Sequence, residues 1–189
     1  FSSFFVPLNQ ILDAQRALRL VRHHAEIWNI DPEKVGVMGF SAGGHLASTL
    51  STQFSYELER TKDKIDNISA RPDFSILVYP VITFQDQYTH GGSRKNLLGE
   101  KPSQELIDRF SNEKNVNANT PPTFLVHAQD DLAVPVENSL LYYQALRANE
   151  VSASLHLYPS GGHGFAFGMG KGTVENWRLV LLDWIKTLN

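Results

Sequence analysis

Apolar residues Ile11, Ala14, Leu18, Val21, Ala25 and Trp28 recur at gaps of three and four. That spacing lines one face of a helix, which the turn at Ile30-Asp31-Pro32-Glu33 should end. Val35 to Gly39 then reads as a short buried strand, and residues 41 to about 53 as a second helix. The polar segment from Glu57 to Arg71 suits a surface connection with some helix. Phe74 to Tyr79 is another apolar strand, stopped by Pro80. Residues 83–122 show no clear period and are rich in Asn, Gly, Pro and Ser. They predict a long excursion carrying one short helix near 104–110, of the kind that forms lids or binding loops. Thr123 to His127 is a third strand, followed by a helix over 136–148 with Pro135 suited to its first turn. Ser154 to Tyr158 is a fourth. After a glycine-rich loop, Val174, Trp177, Leu181, Trp184 and Leu188 mark a closing amphipathic helix.

Strands that alternate with helices predict a three-layer α/β/α arrangement around a mostly parallel sheet. With 189 residues, no internal repeat and no compositional break, the expectation is one domain over 1–189. A net charge of −3 offers no electrostatic footprint for nucleic acid or an anionic membrane, and no apolar run is long enough to span a bilayer. The absence of cysteine excludes disulfides, thiolate metal sites and a cysteine nucleophile, and leaves the compartment open among cytoplasmic, periplasmic and secreted. Phe1-Ser2-Ser3-Phe4-Phe5-Val6-Pro7 has no Met, no basic segment and no long apolar run, so it is not an intact signal peptide. It reads as a trimmed or truncated start.

The stretch Gly39-Phe40-Ser41-Ala42-Gly43-Gly44-His45-Leu46 puts small residues where a buried strand gains nothing from them. It fits G-x-S-x-G, the nucleophile elbow, in which the serine sits on a strained turn between strand and helix. The flanking glycines let strand and helix approach closely, and the first helical N–H, that of Ala42, is placed to donate to an oxyanion. A serine needs a base, and the base an orienting acid. His127-Ala128-Gln129-Asp130-Asp131 follows the third strand, and Gly161-Gly162-His163-Gly164-Phe165 the fourth. In a parallel sheet both loops emerge at the same edge as Ser41.

The runs GFSAGGHLA, HAQDDLAVPVENSLLYY and SGGHGF resemble the α/β-hydrolase superfamily, most closely bacterial serine esterases of the acetyl-xylan-esterase type. The resemblance covers essentially the whole chain. It implies Ser41 as nucleophile, His163 as base and Asp131 as acid, with Asp130 the second choice, and short acyl esters as substrates, acetyl groups of plant polysaccharide among them. It implies no cofactor. It also implies about eight strands where four are found, the early ones and their oxyanion loop having no counterpart. The strand at Val35 to Met38 would then be an apolar edge open to a second copy or a partner chain. Two other readings remain: a non-catalytic fragment or interaction module, and a peptidase of the prolyl-oligopeptidase type.

The remaining polar candidates have simpler readings. His23 and His24 suit a solvated helix surface, His127 and His156 strand packing or hydrogen bonding, and His45 a helix face rather than a second base. Asp31 is a turn or cap. Thr89-His90-Gly91-Gly92-Ser93 looks like an oxyanion loop but lies downstream of the serine, where such a loop should be upstream. It belongs to the excursion. No ligand spacing suggests a metal.

Overall fold

A computed structural model of the chain describes residues 5–57 and 63–188. The first four residues and part of the polar connection expected at 57–71 lie outside the described residues. The elements are α1 (Phe5–His23), α2 (Ala25–Trp28), β1 (Val37–Phe40), α3 (Ala42–Gln53), β2 (Ser75–Val78), α4 (Gly91–Leu98), α5 (Gln104–Arg109), β3 (Thr123–Ala128), α6 (Glu137–Ala148), β4 (Ala153–Tyr158) and α7 (Trp177–Ile185). Single 3-10 turns occupy Lys64–Asn67, Asn112–Lys114 and Gly172–Asn176.

The strands form one parallel sheet in the order β1-β2-β3-β4. Phe40 pairs with Val78, Val78 with Val126, and Val126 with His156. The carboxyl ends of all four strands therefore share one edge. Alternation in the middle strands divides the core. Ile76, Val78, Phe124 and Val126 face Trp177 and Leu181, while Leu77 and Leu125 face Ala47, Tyr142 and Leu146. Both sheet faces are covered, which is why β2 and β3 read as unbroken apolar runs. Each buried Val, Leu, Ile or Phe among them contributes about 1.5–3 kcal/mol relative to exposure. β1 is bonded on one side only among the described residues, and its Met38 is 40% exposed.

The first helix departs from the pattern in two ways. It breaks at His24, so the expected single helix is two, and Trp28, placed on the apolar face by spacing, is 53% exposed. Two polar side chains are buried instead. Gln15 donates to the carbonyls of Gln53, Phe54 and Tyr56 at 2.9–3.3 Å, satisfying the acceptors left free where α3 ends. Arg19 donates to the carbonyl of Ile68.

The excursion is more ordered than its composition suggests. It holds α4 as well as α5, and its Phe84, Leu98, Leu106 and Phe110 form an apolar cluster with Val81 and Val134 on either side of it in sequence. Two buried asparagines pin it. The Asn138 carboxamide oxygen accepts from the N–H groups of Ile82 and Thr83, and the Asn112 amide reaches the His45 carbonyl, Ser48 Oγ and Thr49 Oγ1 at 2.7–3.1 Å.

His45 faces this cluster. It is 5% exposed, stacked on Phe84 with ring centroids 4.5 Å apart, and its Nε2 donates to the Phe110 carbonyl at 2.8 Å. Burial pushes the imidazole from 6.5 down to about 4, against the opposing pull of that carbonyl. The unfolded chain takes up this proton near pH 6.5 while the folded one does not, so folding stability is complete above pH 6.5 and falls as the pH drops towards 4. At about 1.4 kcal/mol per pKa unit, that loss is about 3 kcal/mol. Urea unfolding at pH 7 and pH 4 should show it in the wild type and not in His45→Gln. A variant that loses as much as the wild type would assign the acid sensitivity to other groups.

Candidate functional site

Ser41 sits between β1 and α3 at φ 50°, ψ −120°, a conformation that costs a non-glycine residue on the order of 1–3 kcal/mol. Two backbone bonds to the end of β2 and the residues just after it hold it there: Ser41 N–H donates to Val78 O at 3.1 Å, and Val81 N–H donates to Ser41 O at 3.0 Å. The turn is tight. A Cβ on Gly39 would sit 2.2 Å from the Gly43 carbonyl oxygen, and one on Gly44 would sit 2.7 Å from Pro80 Cβ. A Cβ on Gly43 would meet nothing within 4 Å. The crowding expected at both motif glycines is thus found at Gly39 and Gly44, not at Gly43. Gly39→Ala should therefore prevent soluble folding or strip the site of reactivity, whereas Gly43→Ala should keep the wild-type melting temperature within a few degrees; thermal melts of both variants check this.

The loops after β3 and β4 meet the elbow. Ser41 Oγ is 2.8 Å from His163 Nε2, and His163 Nδ1 is 2.7 Å from Asp131 Oδ2. An Nδ1 facing a carboxylate carries the proton, which leaves Nε2 to accept from the serine hydroxyl. The Asp131 side chain has no exposed surface, while His163 keeps 28%. Asp131 Oδ1 accepts from the N–H groups of Ala133 and Val134, both at 2.9 Å. Burial opposes its charge, but hydrogen bonds from His127, Val134, His163 and Ala133 outweigh it and hold the carboxyl well below the usual carboxylate range.

Asp130, the second choice, does not reach the imidazole. Its Oδ1 accepts from the Gly162 N–H at 2.7 Å, so it fixes the loop that carries His163. Ala42 opens α3, and its N–H lies in the first turn, where no intrahelical acceptor exists.

Two further residues, neither given a part in the site from sequence, adjoin it. Tyr79, at φ 38°, sets its ring edge-on to His163 at 5.0 Å and to Phe165 at 4.5 Å, and its hydroxyl accepts from the Ala166 N–H. His127, expected as a packing or hydrogen-bonding residue, is buried and hydrogen-bonded, and points Nε2 at Asp131 Oδ2. Its position four residues before the acid was the available signal.

His90 is turned into its own helix, where its Nδ1 accepts from the Ser93 N–H and caps α4. Beside Ala42 lies a cleft of about 160 Å3, lined also by His45, Leu46, Phe84, Ser93 and Leu97. Among the described residues no three histidine or acidic side chains gather as metal ligands, and no helix is long and apolar enough to cross a membrane.

Residues 6–146 match the model of the BD-FAE family. The chain is 40% identical over 180 residues to an acetylxylan esterase of Xylanibacter ruminicola, covering 93% of this chain and 35% of that protein. It is 42% identical over 161 residues to endo-1,4-beta-xylanase B of Butyrivibrio fibrisolvens, covering 84% of this chain and 25% of that one. The crystal structure of an acetyl ester-xyloside bifunctional hydrolase from Caldicellulosiruptor lactoaceticus superposes with a TM-score of 0.89 at 44% identity, over 94% of this chain and 65% of that one. The fold is that of the α/β-hydrolases. The chain spans about a third or less of the two curated relatives.

Proposed function

Because the chain belongs to the BD-FAE family, we propose that it is a carboxylic ester hydrolase working through a serine acyl-enzyme, with Ser41 as nucleophile, His163 as base and Asp131 as orienting acid. The observation that carries this reading is the unbroken pair of hydrogen bonds from Ser41 Oγ to His163 and from His163 to Asp131. Ser41 Oγ attacks the ester carbonyl carbon while His163 Nε2 takes the hydroxyl proton. The resulting oxyanion is met by the Ala42 N–H at the positive end of α3. Collapse of the tetrahedral species expels the alcohol, which receives the proton from His163. A water, deprotonated by the same nitrogen, then attacks the acyl-serine, releasing the acid and restoring Ser41. Asp131 stays ionised throughout and stabilises the imidazolium.

The substrate class we propose is short acyl esters, with acetyl groups on xylan foremost. The names of an acetylxylan esterase, a xylanase and an acetyl ester-xyloside hydrolase among the relatives support that choice. The test combines p-nitrophenyl esters of graded chain length, acetate release from acetylated xylan, and a fluorophosphonate label located by peptide mass spectrometry. Turnover that declines from acetate to longer acyl groups, with the label on Ser41, is the expected result. A protein that hydrolyses no ester and takes no label at Ser41 would instead be a hydrolase-like interaction module.

A further inference from the structure

His127 occupies the fifth position of β3 with no exposed surface, and a buried imidazole needs a partner for each ring nitrogen. Its Nε2 faces two acceptors, the Val134 carbonyl oxygen at 3.0 Å and Asp131 Oδ2 at 3.3 Å. With acceptors on that side, Nε2 must carry the proton. The bare Nδ1 then accepts from the hydroxyl of Ser139, 2.8 Å away on α6 and itself buried. The Val134 carbonyl and the Asp131 carboxylate therefore select the tautomer of His127, which points an N–H at the carboxylate, and Ser139 holds the ring by its other nitrogen.

We propose that His127 is a positioning residue for Asp131, aiming the carboxylate at His163, with its own ring steadied by Ser139. This rests on the esterase reading above. Asp131 is gripped by four N–H donors and no cation: Ala133 and Val134 on Oδ1, His163 and His127 on Oδ2. The two backbone donors fix one oxygen. His127 supplies the second hold on the other, and its bond to the Val134 carbonyl ties the turn 131–134 to β3. Rotation of the carboxylate away from His163 would break that set at once. His127 touches no reacting atom, so its effect on turnover passes through Asp131 alone.

The experiment compares His127→Phe, which keeps the ring and loses both nitrogens, with His127→Gln, whose amide N–H can reach the Nε2 position, and with Ser139→Ala. The readouts are kcat and KM on p-nitrophenyl acetate, the rate of fluorophosphonate labelling at Ser41, and the melting temperature. We expect His127→Phe to lower kcat and the labelling rate by about 10–100-fold, the range measured for residues that orient metal ligands from behind, with KM unchanged. His127→Gln should recover most of that loss, and Ser139→Ala should show a smaller fall in kcat, again at constant KM. A folded His127→Phe with wild-type kcat would overturn the proposal, as would a His127→Gln no faster than His127→Phe, because His127 would then only fill space. Should His127→Phe fail to fold, Ser139→Ala decides: a slowed kcat at constant KM supports the proposal and a wild-type kcat overturns it. A wild-type protein inert to both ester and label removes the esterase reading before any variant is compared, and the positioning role with it.

Discussion

Ser41→Ala is expected to lower ester turnover by about a million-fold, the loss seen when the nucleophile of such a triad is removed. Alanine keeps the elbow backbone and loses the one atom that forms the acyl bond. His163 and Asp131 then remain paired at 2.7 Å with nothing to activate. The variant should fold as the wild type does, because alanine carries the same Cβ at the φ of 50°. KM should barely change while fluorophosphonate labelling vanishes. Residual activity above about one part in a thousand, in a preparation free of wild-type enzyme, would mean that another group attacks the ester.

Asp131→Asn is expected to cost about ten-thousand-fold in kcat, because an amide facing Nδ1 can donate where the carboxylate accepted, turning His163 into the wrong tautomer. The same substitution next door separates geometry from proximity. Asp130 only accepts from the Gly162 N–H, and an amide oxygen still does that, so Asp130→Asn should stay within a few-fold of the wild type. Kinetics of the two variants side by side give the answer. Equal losses would show that the negative charge of the loop matters and not the orientation of one carboxylate.

Much of the site was legible because its chemistry demands residues that packing alone would reject. Glycines and a serine at a strand end, and two loops bearing an acid and a base, stand out against apolar strands. The choice between Asp130 and Asp131 was not legible from residue type, since adjacent carboxylates differ only in which way the turn sends them; that choice came from the resemblance. α4 was hidden for a different reason. Gly91 and Gly92 have poor helix propensity and the segment has no apolar period, so the helix depends on the His90 side chain that caps it. Trp28 carried helical spacing but lies beyond the break at His24, where the periodicity no longer points at the sheet. The burial of Gln15 and Arg19 was not legible either, because nothing local shows that carbonyls 38 to 49 residues away lie within their reach.

Asn112 and Asn138 give the molecule a mechanical property. The long arm between β2 and β3 is riveted near its root to α6 and near its far end to α3, the helix that begins beside Ser41. A limb fastened at two points cannot swing like a door, so under the proposed esterase reading any movement that admits an ester to the cleft beside Ala42 falls to the segment between the rivets, which includes α4.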